Sequence, residues 1–119
     1  MTVCILGNSL TALTLAKALV NHEIEVELYF NKKNYKISDS RTIGIANNNV
    51  DFFNSNIINI KKLLWNLKRI EIFSEHLGKE KLVGFKANEN QLFSIIKNYK
   101  LYKLLEKNLS KNKFFRSKF

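Results

Sequence analysis

Gly7, Ser9 and Ala12 stand at a spacing that serves the binding of a phosphate anion. They follow the short apolar run Val3-Cys4-Ile5-Leu6 and open a stretch in helical rhythm that continues to Val20. A second apolar stretch, residues 24–30, comes next. A strand, a tight turn, a helix and a second strand in that order are the opening of a nucleotide-binding βαβ unit. Its chemistry is a helix N-terminus whose free N–H groups and positive dipole end face a pyrophosphate. The full fingerprint places glycine three times, for the turn, for the approach of the phosphate and for helix–strand contact. Only Gly7 keeps that identity here, and Ser9 and Ala12 take the other two places.

The remaining reactive side chains form no such constellation. Cys4 is the one cysteine, so an internal disulfide is impossible, and its mid-strand position reads as a small core residue. His22 and His76 have no carboxylate or cysteine at triad or metal spacing. No catalytic residue and no metal site is therefore expected. The net charge of +10 invites a nucleic-acid reading, but all of it comes from residues 60–119. Seventeen of the twenty basic residues are lysine, in a chain also rich in asparagine and isoleucine. A solvated basic face explains that pattern without a polyanionic partner. No run approaches the ~20 apolar residues that span a bilayer, and the expected location is cytoplasmic.

The elements that must position the phosphate corner follow from periodicity, since the chain has no proline to punctuate it. Strand one is expected over residues 2–6 and a helix over 10–21, with Ser9 offering its hydroxyl to the first turn. Ile24, Val26, Leu28 and Phe30 alternate with Glu23, Glu25, Glu27 and Tyr29, a half-buried strand. Residues 31–40 read as a loop, 41–46 as a short extended piece, and Asn47 to Asn49 as the cap of a short helix through Phe53. Residues 57–67 have helical spacing, with Trp65 in the core. Residues 69–74 pair with 81–86 as a hairpin whose turn lies at 76–78. Asn88 and Gln91 make a capping-box-like start for a last helix reaching Leu109. A stripe of Lys97, Lys100, Lys103 and Lys107 marks its solvated face, and residues 110–119 read as a frayed basic tail.

The opening VCILGNSLTALTLAKAL, the SDSRTIGIA segment, the Leu64-Trp65 pair, the strand from Ile70 to Ser74 and the NENQLFSII start occur in that order. Together they resemble the N-terminal part of the FAD-dependent aromatic-ring hydroxylases of ubiquinone biosynthesis, relatives of the p-hydroxybenzoate hydroxylase group. The resemblance implies an α/β fold: a Rossmann-like FAD-binding βαβ unit with additional helices and a small β-hairpin, incomplete relative to the family. It makes residues 1–109 a partial dinucleotide-binding domain. It also implies an FAD site, with Gly7 in the turn, N–H groups around Asn8, Ser9 and Leu10 at the pyrophosphate, and Ala12 against the strand. Arg41, followed by Thr42, is placed along the ribityl and phosphate region, where a guanidinium gives fork-shaped hydrogen bonds.

Besides Ser9, which stands where the family has glycine, two positions depart from the family. Phe30 stands where an acidic residue holds the adenosine ribose, with Asn31 beside it as a weak substitute, and Asn90 replaces an arginine. The second flavin motif, a downstream Gly-Asp segment, and the sheet that covers the substrate are absent from the sequence. The expected function is thus a truncated FAD-binding portion of a monooxygenase, inactive alone, with a second polypeptide supplying the rest. A non-catalytic remnant that has lost its cofactor is the first alternative. A basic binder of nucleic acid or of a membrane surface, peripheral at the inner membrane, is the second, and of these two polyanions nucleic acid is the less expected.

Overall fold

A computed structural model describes residues 1–31, 40–67, 69–73, 81–86 and 93–118. The chain begins β1 (Thr2–Leu6), α1 (Leu10–Val20), β2 (Glu25–Tyr29), as periodicity and capping require. β1 and β2 are parallel neighbours, paired from Thr2 opposite Glu25 to Leu6 opposite Tyr29. Ser9 adopts an extended backbone and its Oγ accepts the N–H of Ala12 at 3.2 Å, the expected N-cap. α1 closes through Glu23 at φ 58, a left-handed position that returns the chain into β2.

Next come β3 (Thr42–Ala46) and α2 (Asn47–Asn56), close to expectation. The helix expected over 57–67 is not there. A 3-10 turn at Lys61–Leu63 leads into β4 (Trp65–Leu67), and Trp65 is exposed, not core. The hairpin is present as β5 (Arg69–Phe73) and β6 (Lys81–Lys86), antiparallel. Its expected turn lies outside the described residues, as do Asn88, Asn90 and Gln91. The last helix starts later than its pattern implied, because β7 (Phe93–Lys97) precedes α3 (Asn98–Ser110). Ile95 and Ile96 are β-branched, stiff in a helix and well suited to a pleated surface. β7 is held on both sides, by β3 and by β4, both antiparallel.

Residues 111–118, expected within a frayed tail, form a turn and a strand instead. β8 (Phe115–Lys118) adds to β2 in parallel, giving the sheet order β1-β2-β8. The ladder is extended by Val26 N–H to Phe114 O at 2.8 Å and Phe30 N–H to Lys118 O at 3.1 Å. Phe114 and Phe115 pack against the core, which outweighs the fraying that the lysines suggested.

One face of this sheet is covered and the other is open. Ile5, Val26 and Leu28 are buried beneath Leu13, Ala16 and Val20 of α1 and Leu101, Leu105 and Leu109 of α3. Burying each of these Val, Ile and Leu side chains stabilises the fold by about 1.5–3 kcal/mol. On the opposite face Thr2 and Cys4 are exposed and Leu6 is 85% exposed. Cys4 is therefore a surface thiol, not a core residue, because strand alternation puts it on the uncovered side.

Candidate functional site

Gly7 closes β1 with φ 110, a backbone conformation that side chains other than glycine's rarely adopt. Its N–H donates to Tyr29 O at 2.7 Å, so the turn is fastened to the end of β2. A Cβ built at Gly7 meets nothing within 4 Å, so the corner above it is open space. Ser9 O accepts the first helical N–H, from Leu13, and Ser9 Oγ takes the N–H of Ala12. The N–H groups of Leu10 and Thr11 have no partner among the described residues. Two donors at the positive end of α1, beside an unfilled corner, form an anion cradle.

Ser9 shapes that cradle in two ways. Its oxygen withdraws the third N–H of the first turn from any ligand, and its own O–H stays available to donate. Ala12 is buried, and its small side chain keeps α1 close against the sheet. Leu10 packs its side chain onto the core and contributes backbone only. Asn8 lines a cavity of about 420 Å³ that also touches Phe30 at the end of β2, Ser117 of β8 and Glu106 of α3. Asn31 is exposed beyond β2 and does not line it.

Arg41 and Thr42 sit at the start of β3, both exposed. Arg41 O accepts the N–H of Asn98 at 3.0 Å, which ties this segment to the head of α3. No contact of the Arg41 guanidinium with the Gly7 corner is seen among the described residues. The structure thus gathers Gly7, Asn8, Ser9, Leu10 and Ala12 at one corner, with Asn31 just beyond β2 and Arg41 and Thr42 at the head of β3. The residues that sequence reasoning missed are Tyr102, Glu106, Ser110 and Ser117, which wall the cavity. The strand-like alternation of Phe115-Arg116-Ser117-Lys118 was the signal for one wall.

On the open sheet face the Tyr29 hydroxyl donates to Glu27 Oε2 at 2.7 Å, and Lys118 Nζ lies 3.7 Å from Glu27 Oε1. The Tyr29 hydrogen bond, then the Lys118 charge, hold the Glu27 carboxyl below its ordinary value. The same bond pushes the Tyr29 phenol up. Beneath α1, burial lowers the Lys17 ammonium, which donates to Asn21 Oδ1. Asn21 Nδ2 in turn reaches Asn56 O and Ile57 O, each at 2.9 Å, and binds the end of α1 to the end of α2. Among the described residues no cluster of metal-ligating side chains forms, and no helix is long and apolar enough to cross a membrane.

No family model matches the sequence, and no curated protein matches it. Solved structures do match by shape. The p-nitrophenol 4-monooxygenase PnpA of Pseudomonas putida superposes with a TM-score of 0.77 at 9% identity, over 98% of this chain and 32% of that one. HpxO of Klebsiella pneumoniae, solved with FAD and uric acid, gives 0.68 at 16% identity, over 98% and 30%. The 2,6-dihydroxypyridine-3-hydroxylase of Arthrobacter nicotinovorans gives 0.68 at 14%, over 98% and 28%. The chain therefore has the mixed α/β fold of the FAD-binding monooxygenases and spans about three tenths of their length.

Proposed function

We propose that this chain is the FAD-binding portion of a flavin-dependent monooxygenase of the ubiquinone-biosynthesis hydroxylase type. The observation that carries the reading is the open Gly7 corner at the head of α1, in a fold shared with proteins such as HpxO, whose structure contains FAD. The residues present fit the pyrophosphate: Gly7 leaves it room, Leu10 and Thr11 donate N–H groups, and Ser9 adds an O–H. Asn8 borders the same corner, Ala12 holds α1 against the sheet, and Arg41 with Thr42 serves the ribityl side. Bound FAD supplies the redox chemistry, and the chain's part is to hold and orient it.

Hydroxylation belongs to a longer assembly in this reading, with a second polypeptide supplying the substrate pocket. Two features support it: the chain spans only 28–32% of its structural neighbours, and the β1 side of its parallel sheet exposes Cys4 and Leu6. Parallel sheets are ordinarily covered on both faces. The exposed Lys100, Lys103 and Lys107 on the outer face of α3 favour one secondary role, peripheral contact with an anionic membrane on the cytoplasmic side.

The test is a titration of the purified chain with FAD, followed by quenching of flavin fluorescence. A dissociation constant in the micromolar range is expected, because the acidic residue replaced by Phe30 removes a charge-assisted hydrogen bond of about 1.5–3 kcal/mol. No binding at several hundred micromolar FAD refutes the cofactor reading and leaves the non-catalytic remnant.

A further inference from the structure

Phe30 occupies the end of β2, where a carboxylate would hold a ribose, yet the cavity that Phe30 lines is also lined by a carboxylate residue, Glu106 of α3. The cavity of about 420 Å³ is bounded by Asn8 at the phosphate corner, by Phe30 and Phe115, and by Tyr102, Glu106 and Ser110 of α3. Residues 102, 106 and 110 are spaced four apart, so they share one face of the helix. With the adenosine half of the dinucleotide in this cavity, as the FAD reading places it, we infer that Glu106 accepts the hydroxyls of its ribose. The inference rests on the FAD reading above and deepens it.

Three properties of the cavity match that ligand. Its volume falls within the ~300–1,000 Å³ of small-molecule sites. Phe30, Tyr102 and Phe115 offer ring surfaces against which a purine packs, a gain that every base can make. Asn8 lines both the cavity and the turn into α1, so a diphosphate on the Leu10 and Thr11 N–H groups leads one nucleoside directly inside. A carboxylate has two acceptor oxygens for the two vicinal hydroxyls, and such bonds are charge-assisted.

Glu106 is also at liberty to make them. Its ion-pair partner among the described residues is Lys103, one turn away at 3.7 Å, with both side chains about half exposed. A solvated pair of that kind is worth about 0–1 kcal/mol. Rotating the Glu106 side chain toward a ribose therefore costs little. Glu106 thereby offsets part of what the missing acceptor at β2 costs, while Phe30 is a wall for the base.

The experiment uses the whole chain, wild type and Glu106→Gln, with FAD, ADP and 2′,3′-dideoxy-ADP as probes and a thermal melt to show both proteins folded. Glu106→Gln is expected to weaken FAD and ADP about ten- to a hundredfold, the worth of one charge-assisted bond. It is expected to leave 2′,3′-dideoxy-ADP unchanged, because that nucleotide has no hydroxyls to offer. Lys103→Gln, which removes only the ion pair, is expected to alter none of the three. Equal FAD affinity in the wild type and Glu106→Gln overturns the inference and leaves the cofactor reading intact. So does FAD binding without ADP binding, or an equal loss for the dideoxy nucleotide. A wild type that binds neither FAD nor ADP overturns both.

Discussion

Replacing Gly7 by alanine separates the two duties of the phosphate corner. At φ 110 an alanine is held in a backbone region that costs about 1–3 kcal/mol. Loss of glycine's freedom in the unfolded chain returns about 0.4–1 kcal/mol. No steric contribution is added, since nothing lies within 4 Å of the new Cβ. Taking the middle of each range, the net loss of stability is about 1.3 kcal/mol. At about 4 °C or slightly more per kcal/mol for a chain of this size, the melting temperature falls by about 5–7 °C. The methyl group meanwhile projects into the space reserved for the pyrophosphate, so FAD affinity falls by more than tenfold. Urea denaturation followed by circular dichroism reads the first effect, and flavin titration of the folded variant reads the second. An unchanged denaturation midpoint would refute the left-handed turn. Unchanged FAD affinity alongside the expected destabilisation would refute the phosphate corner while sparing the turn.

Other perturbations follow from single observations. Ser9→Gly frees the Ala12 N–H and opens the approach to the cradle, while glycine costs only a few tenths of a kcal/mol as an N-cap; FAD binding should tighten with little change in thermal stability. Asn21→Ala removes two bonds to Asn56 O and Ile57 O and leaves the Lys17 ammonium without its acceptor; a loss of about 1–3 kcal/mol is expected in urea titrations. Glu23→Gly relieves a left-handed glutamate and should leave stability unchanged or raise it by up to about 1 kcal/mol, whereas a drop of the denaturation midpoint would contradict that geometry. Tyr29→Phe removes the largest cause of the lowered Glu27 carboxyl. A depressed folded-state pKa adds stability above the unfolded value and loses it as pH falls through the folded one. Urea midpoints measured from pH 7 to pH 3 should therefore fall less steeply in the variant, and superimposable profiles would dismiss the Tyr29–Glu27 bond.

The sequence alone determined the features whose causes lie within a few residues of one another. The alternation around Val26 and Leu28 decided which face of β2 is buried, and Ser9 decided where α1 begins. Gly7, the βαβ order and the pairing of 69–73 with 81–86 were equally legible, because a cap, a turn and a hairpin are local objects. Tertiary structure decided what depends on a distant partner. β4 and β7 carry helical spacing but become strands because β3 and each other's edges take their backbone bonds. β8 looks like a lysine-rich tail until β2 pairs with it, and the wall it contributes brings Ser117 to the cavity that Glu106 shares. Trp65 and Cys4 face outward for the same reason: which side of a strand is covered is settled by the layer that packs on it, and that layer lies far away along the chain.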